Sequence, residues 1–373
     1  MIARRPLFFE KFLWTFFVLF FSAVGACGQT ADLARLTHAD SLIYEKVGNE
    51  EILRFVGHVV FRKEPKWLRC DRSVYYRDRG MAVFSGNVVL NDSGRVLRAD
   101  EVTYFQNPER EKAVGRVNFR ADGKKITCAL LEYVDPQRKA LALRRVVFRD
   151  SLNSISLFAD SVTYWLNKDY GLATGHPKLV KYDSTGAVEI EIRASRLGYD
   201  GKKAQAVALR HVRITKGDVV ALAFEARFFD SEHKVVIFGA PRIHQGEDQM
   251  KADTIEIYLK GKLLDRVHLR GRGKMTSKVH LKKKTLKDWI SGRDIWLTFK
   301  NDTLKTVVVK EQAISLYHVI EKGKEKGVNQ VLGDWLEIAF KRGKPEEVRI
   351  ESSPGLARGR FYPPGAQVQP LKP

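Results

Sequence analysis

The chain has 373 residues, 44% hydrophobic and 29% charged, which excludes a disordered polyampholyte and leaves material for a large core. Lys and Arg outnumber Asp and Glu by 65 to 44, a formal charge of +21, so the expected partners are polyanions: nucleic acid, an anionic membrane surface or a phosphorylated glycolipid. Only 3 cysteines occur, none in a CxxC or a His/Cys cluster of zinc spacing, which excludes a disulfide scaffold and a structural zinc site of those types.

At the N-terminus Arg4 and Arg5 precede a run of about 15 mostly apolar residues, Phe12 to Ala26. That run is too short for about 30 Å of hydrocarbon. With small residues at Val24 and Ala26, residues 1–26 read as a secretory signal peptide, which sets nucleic acid aside as a partner. The end, Val24-Gly25-Ala26-Cys27, suits ordinary signal peptidase and also resembles a bacterial lipobox in which Cys27 would be lipidated; both routes cut the same bond. An uncleaved anchor is the third option. Residues 27–50 form a polar lead-in, with Thr37 to Glu45 reading as a degenerate half-repeat.

Residues 51–270 are an array. Its clearest unit, Ser85 to Tyr104, has a Gly, an alternating run (Val88, Leu90), a turn (Asn91 to Gly94), then Leu97, small Ala99, Asp100 and Tyr104. The small residue recurs as Cys70, Ala99, Cys128, Ala159, Ala194, Ala223 and Ala252, at intervals of 29, 29, 31, 35, 29 and 29 residues. Five residues after it stand Tyr75, Tyr104, Tyr133, Tyr164, Tyr199, Phe228 and Ile257. Such a period marks a repeat architecture whose units bury a face only against each other. Turn residues separate segments rich in Val, Ile, Tyr, Phe and Thr, so each repeat is expected to hold two antiparallel strands. In the second strand the apolar positions fall at −2, 0, +3 and +5, a change of phase that a β-bulge beside the small residue would absorb, bending the sheet. Cys70 and Cys128, two repeats apart, lie at least about 9.6 Å from one another, beyond the reach of about 7 Å for a disulfide.

Past residue 270 the array becomes degenerate, over 271–363. The basic run Lys278–Lys287 stands where a second strand is expected, and a helix or long loop is expected around His318 to Asn329. Gly292 and Gly333 reopen the small-residue frame, and a disordered tail is expected over 364–373.

The frame Gly86, Val88, Leu97, Ala99, Asp100, Val102, Tyr104, repeated at Leu157, Ala159, Asp160, Val162, Tyr164, resembles the OstA-like repeat of the lipopolysaccharide-transport family, which includes LptA, LptC and the N-terminal domain of LptD. The resemblance covers residues 50–363, with Arg144 and Arg210 departing from the leading Gly. It implies an all-β fold: a repetitive antiparallel β-jellyroll, folded over like a taco around an apolar groove. It also implies a periplasmic lipopolysaccharide carrier or bridge, binding lipid A acyl chains and joining other Lpt-type proteins by edge-strand stacking, with an LptD-like outer-membrane protein or an LptC-like anchor as candidate partners. The inward positions after each leading residue would line the path: Val59 and Phe61, Val88 and Leu90, Val117 and Phe119, Val146 and Phe148, Val212 and Ile214, with Leu97, Ile126 and Leu157 from second strands. On that reading a charge at Phe119 blocks transport without unfolding the protein.

Apolar alternation fits equally a dry extracytoplasmic β-repeat scaffold or adhesin. No catalytic residue, cofactor or metal site is read. His58, His176 and His211 share a register position but lack recurring ligands beside them. Asp71, Asp100, Asp160 and Asp253 belong to the repeat, which suggests a structural role such as pairing Arg72 or bonding a turn, although a glycan-cleaving carboxylate pair is an alternative. Lys282-Lys283-Lys284 reads as a solvated loop or a phosphate contact.

Overall fold

The computed structural model describes residues 35–261, 263–281, 284–321, 323–341, 344–353 and 357–369. The signal peptide over 1–26, Cys27 and the pair Lys282-Lys283 lie outside the described residues. Apart from a single 3-10 turn at Asp135–Gln137, the regular structure of the described residues is β-strand. The chain divides into two compact units.

The first unit runs to Glu191 and includes Ser195–Ala204. Its strands are β1 (Arg35–His38), β2 (Ser41–Val47), β3 (Glu50–Lys63), β4 (Lys66–Tyr76), β5 (Met81–Asp92), β6 (Arg95–Phe105), β7 (Arg110–Ala121), β8 (Lys124–Val134), β9 (Lys139–Asp150), β10 (Ile155–Trp165), β11 (Tyr170–Thr174), β12 (Lys178–Tyr182), β13 (Val188–Arg193, which reaches its boundary) and β14 (Arg196–Asp200). From β3 to β10 each strand pairs antiparallel with the next, two strands per repeat. Short loops join them. Between Asp92 and Arg95, Ser93 and Gly94 have φ of 51° and 87°, the left-handed pair of a tight hairpin turn.

The bend recurs in each repeat. Pairing of β5 with β6 steps from Ser85↔Glu101 to Val88↔Ala99, so two residues, Gly86 and Asn87, face Asp100 alone. The extra residue therefore sits on the Gly-led strand and not, as the phase change suggested, on the strand of the small residue. The reason is local: Gly86 and Asn87 are both left-handed, with φ of 77° and 47°, and a Gly followed by Asn, His or Arg tolerates this better than a β-branched pair. The same step occurs at Val56/Val59 and Val114/Val117. Each strand thus crosses a fold line, and side chains from both sides of that line join one buried cluster, Val59 and Phe61 with Ala82, Phe84, Val102 and Tyr104 among them. The first unit is an antiparallel β-jellyroll, a sheet closed over on itself.

The second unit comprises Ile192–Ala194 and Gln205–Pro373. It holds β15 (Gln205–Lys216), β16 (Val219–Phe229), β17 (Lys234–Phe238), β18 (Arg242–Gln245), β19 (Asp248–Lys251), β20 (Thr254–Lys260), β21 (Leu263–Leu281), β22 (Lys284–Lys300), β23 (Thr303–Glu321), β24 (Lys324–Lys341), β25 (Lys344–Glu351) and β26 (Arg358–Tyr362). Two expectations are overturned here. The basic run at Lys278 continues β21 and pairs with β22 as far as Leu281↔Lys284, so it is a hairpin end and not an interruption. His318 to Asn329 is neither helix nor long loop: β23 and β24 pair out to Glu321↔Lys324. Both stretches carry Lys on the exposed side of a half-buried strand, which hides the alternation. β26 pairs with β24, so the strand ladder extends to Tyr362.

Candidate lipid-binding interior

One unbroken row crosses the first unit. Phe61, Leu68, Leu90, Leu97, Phe119, Ile126, Phe148 and Leu157 are successive cross-strand partners from β3 to β10. Seven of them are buried, at 9% exposure or less, and Leu157 is half-buried. Beside the row lie the pairs Val59↔Cys70, Val88↔Ala99, Val117↔Cys128 and Val146↔Ala159. The proposed groove positions of this unit therefore share one face.

The facing wall was not singled out from the sequence. It is Phe84, Val102, Ala113, Leu131, Ala142 and Val162, again successive partners. The walls touch: the Phe61 ring meets Phe55 and Phe84 edge-to-face at 5.6 and 5.8 Å. Between them a cavity of about 60 Å³ is lined by Ile126, Leu131, Ala140, Ala142, Val146, Phe148, Ile155, Leu157, Val162, Tyr164 and Leu179. It has room for a few water-sized groups and stays apolar throughout.

Both margins of the interior are polar. At one, Lys66 and Asp92 form a 3.2 Å ion pair with side chains 9% and 8% exposed. At the other, Tyr75, Ala82, Tyr104, Glu111, Tyr133, Ala140 and Tyr164 follow one another across the strands. This is the aromatic position of the repeat. Burial, then the nearby Glu109 and Glu111, raises the Tyr104 phenol well above its ordinary range. The Tyr164 hydroxyl donates to Asp169. Burial likewise pushes the thiols of Cys70 and Cys128 up to about 12 and about 11. Both are free and buried. Peptide mapping after iodoacetamide treatment is expected to find them unmodified in the folded protein and fully alkylated in urea; rapid native alkylation would show an open interior.

The repeated acids hold the fold line. Asn87 donates to Asp71 at 2.9 Å, Arg116 lies 2.6 Å from Asp100, and Arg272 lies 2.6 Å from Asp253. The partner is therefore the residue after the next leading Gly and not Arg72, because the bulge turns that residue toward the acid. Asp40 takes the same role toward His58, whose imidazole it holds above the usual histidine range. His58 is otherwise open to solvent, with its side chain 83% exposed, and His176 and His211 are exposed. Among the described residues no group of three or more His, Cys, Asp or Glu stands at metal-binding distance.

The second unit repeats the plan. Ile237, Ile255, Leu269, Ile295, Val309 and Leu336 are successive cross-strand partners, each 1% exposed or less. Val212 is buried at 2% and Ile214 half-buried, on one face of β15.

No family model and no curated protein matches the chain. Among solved structures it is similar to LptH of Pseudomonas aeruginosa, described as the LptA-homologous periplasmic component of the lipopolysaccharide transport device. Identity is 17% and the TM-score 0.27, over 31% of this chain and 85% of that one.

Proposed function

We propose that this protein is a periplasmic lipopolysaccharide carrier, exported by its signal peptide, that shields acyl chains between the inner and outer membranes. The observation that carries the reading is the unbroken apolar row from Phe61 to Leu157, faced by a second apolar wall and bordered by charged and phenolic groups. The walls meet through side chains, while backbone hydrogen bonds run along the sheet, so parting them need not break the strand ladder. Each methylene of an entering chain contributes about 0.8 kcal/mol of burial, offsetting the wall contacts it displaces. Entry begins beside Leu157 and Leu179, where space already exists. Other Lpt-type proteins would stack on the outermost strands: β2 pairs with β3 and exposes Leu42, Tyr44 and Val47 at 57%, 57% and 62%, an apolar strand suited to edge addition.

A dry scaffold is the second reading, favoured by the 2% exposure of Phe119 and the small size of the cavity. Crosslinking separates the two. A photoreactive phenylalanine analogue at Leu157, irradiated in Gram-negative envelopes, is expected to capture lipopolysaccharide. Ala142→Val, which adds bulk at the cavity, is expected to change stability by no more than about 1 kcal/mol and to cut the lipid adduct severalfold. Protein-only crosslinks, unaffected by Ala142→Val, would favour the scaffold.

A further inference from the structure

The outward face of the second unit places three cations directly opposite one another. Arg242 on β18 faces Lys251 on β19, and Lys251 faces Lys274 on β21. Their chain neighbours Ile243, Met250 and Met275 form the alternate row, with Ile243 buried at 6%, so the cations stand on the solvent side. Directly opposed residues have Cβ atoms about 4.5–5.5 Å apart, and like charges in that position repel. On the same face of β22 stand Lys287, opposite Lys278, and Trp289, opposite Thr276. The Lys274 ammonium lies 4.6 Å from the Trp289 ring centre.

Of the nearby acids, Asp248 falls on the Met250 side of β19, away from Lys251, and three others are paired. Glu247 pairs with Lys278 at 3.3 Å and with His280, Asp253 with Arg272, and Asp288 with His318. Among the described residues Arg242, Lys251, Lys274 and Lys287 take part in no ion pair or side-chain hydrogen bond. Such a cluster has an unfavourable arrangement that a multivalent anion relieves. Burial, together with Lys251 and Lys287, lowers the pKa of Lys274, as crowded and partly desolvated cations require.

We propose that Arg242, Lys251, Lys274 and Lys287 form a binding site for a phosphate-class dianion, a phosphomonoester or pyrophosphate group. The fork of Arg242 supplies directional donors, the lysines supply charge, and Trp289 holds Lys274 in place. The site stands apart from the apolar interior and does not depend on acyl-chain carriage.

The test uses the whole exported chain at low ionic strength, with inorganic pyrophosphate as probe and calorimetric titration and thermal melting as readouts. Pyrophosphate is expected to bind saturably and raise the melting temperature. Lys251→Gln is expected to weaken binding at least about tenfold, the loss of one charge-assisted contact. It is also expected to raise the melting temperature of the anion-free protein, because it removes two like-charge pairs. Lys216→Gln, an exposed cation at the end of β15, should do neither. Equal weakening by Lys216→Gln would assign the effect to net charge and overturn the site, as would a Lys251→Gln variant that binds normally or melts lower without anion. Vesicles containing phosphatidic acid, compared with neutral phosphatidylcholine vesicles, identify the source. Lys251-dependent capture marks a lipid-borne phosphate; binding of pyrophosphate alone marks a soluble one.

Discussion

Phe119→Asp is expected to unfold the first unit and not merely to empty it. Phe119 is 2% exposed and lies between Leu97 and Ile126 in the central row. Truncating such a ring costs about 3–5 kcal/mol, and a carboxylate buried there without a partner adds a further penalty of about 1–3 kcal/mol. The sum approaches the whole stability of an ordinary domain, about 5–15 kcal/mol. The sequence reading expects a charge at Phe119 to block transport in a folded protein; burial of Phe119 at 2% exposure makes loss of the fold the expected result instead. Circular dichroism melting checks this. Phe119→Leu should remain folded with a modest loss of about 1–2 kcal/mol, whereas Phe119→Asp with a parental melting temperature would show that the interior is wet and open.

Gly115→Arg is the second large effect, and its remedy is already written in the chain. Gly115 has φ of +75°, and a Cβ there would lie 2.3 Å from an Asp100 carboxylate oxygen. A left-handed non-Gly residue costs about 1–2 kcal/mol, and the collision with Asp100 adds to it. Two strands later Arg144 occupies the equivalent place with φ of 65°, and the acid position that faces it is Ala129. Arg210 likewise follows a repeat with Ser195 in place of the acid. Gly115 and Asp100 thus share one space, as Gly239 does with Phe224. In urea melts Gly115→Arg is expected to lose at least about 2 kcal/mol, and Asp100→Ala/Gly115→Arg to fall short of the summed single losses by about 1 kcal/mol or more. Strict additivity would mean that the acid and the glycine do not share space.

Legibility in the sequence follows from what each residue reports locally. The frame around Ala99 and Tyr104 is set by neighbours one strand away, so its period reveals strand count, hairpin turns and the inward face of Val88, Leu90 and Phe119. The opposite wall and the margin beside it are built partly of alanines, Ala113 and Ala142 in the wall and Ala82 and Ala140 in the margin, buried at 5% or less. Alanine gives little hydrophobic contrast, and the alternation that precedes each leading Gly passes unremarked. That Phe61 touches Phe55 and Phe84 across the fold line depends on the angle of the bulge, which pattern alone does not specify. In the second unit, Ser315 and Gln330 are buried at 1% and 0%, so polar letters occupy interior positions and break the expected rhythm near the stretch read as a helix or long loop. The opposed cations Arg242, Lys251 and Lys274 were invisible for another reason: which residues of the β18–β19 hairpin and of β21 stand opposite one another is set by register.

The most direct test of the central claim is native mass spectrometry of lipid bound to the mature protein, extracted gently from a Gram-negative envelope, beside the Ala142→Val variant. Lipopolysaccharide or lipid A near one per protein, reduced in the variant while its melting temperature holds, is the expected result. A parent that is folded and free of lipid, and that takes up none when lipopolysaccharide is added back, would contradict carriage and leave the two walls as a closed structural core.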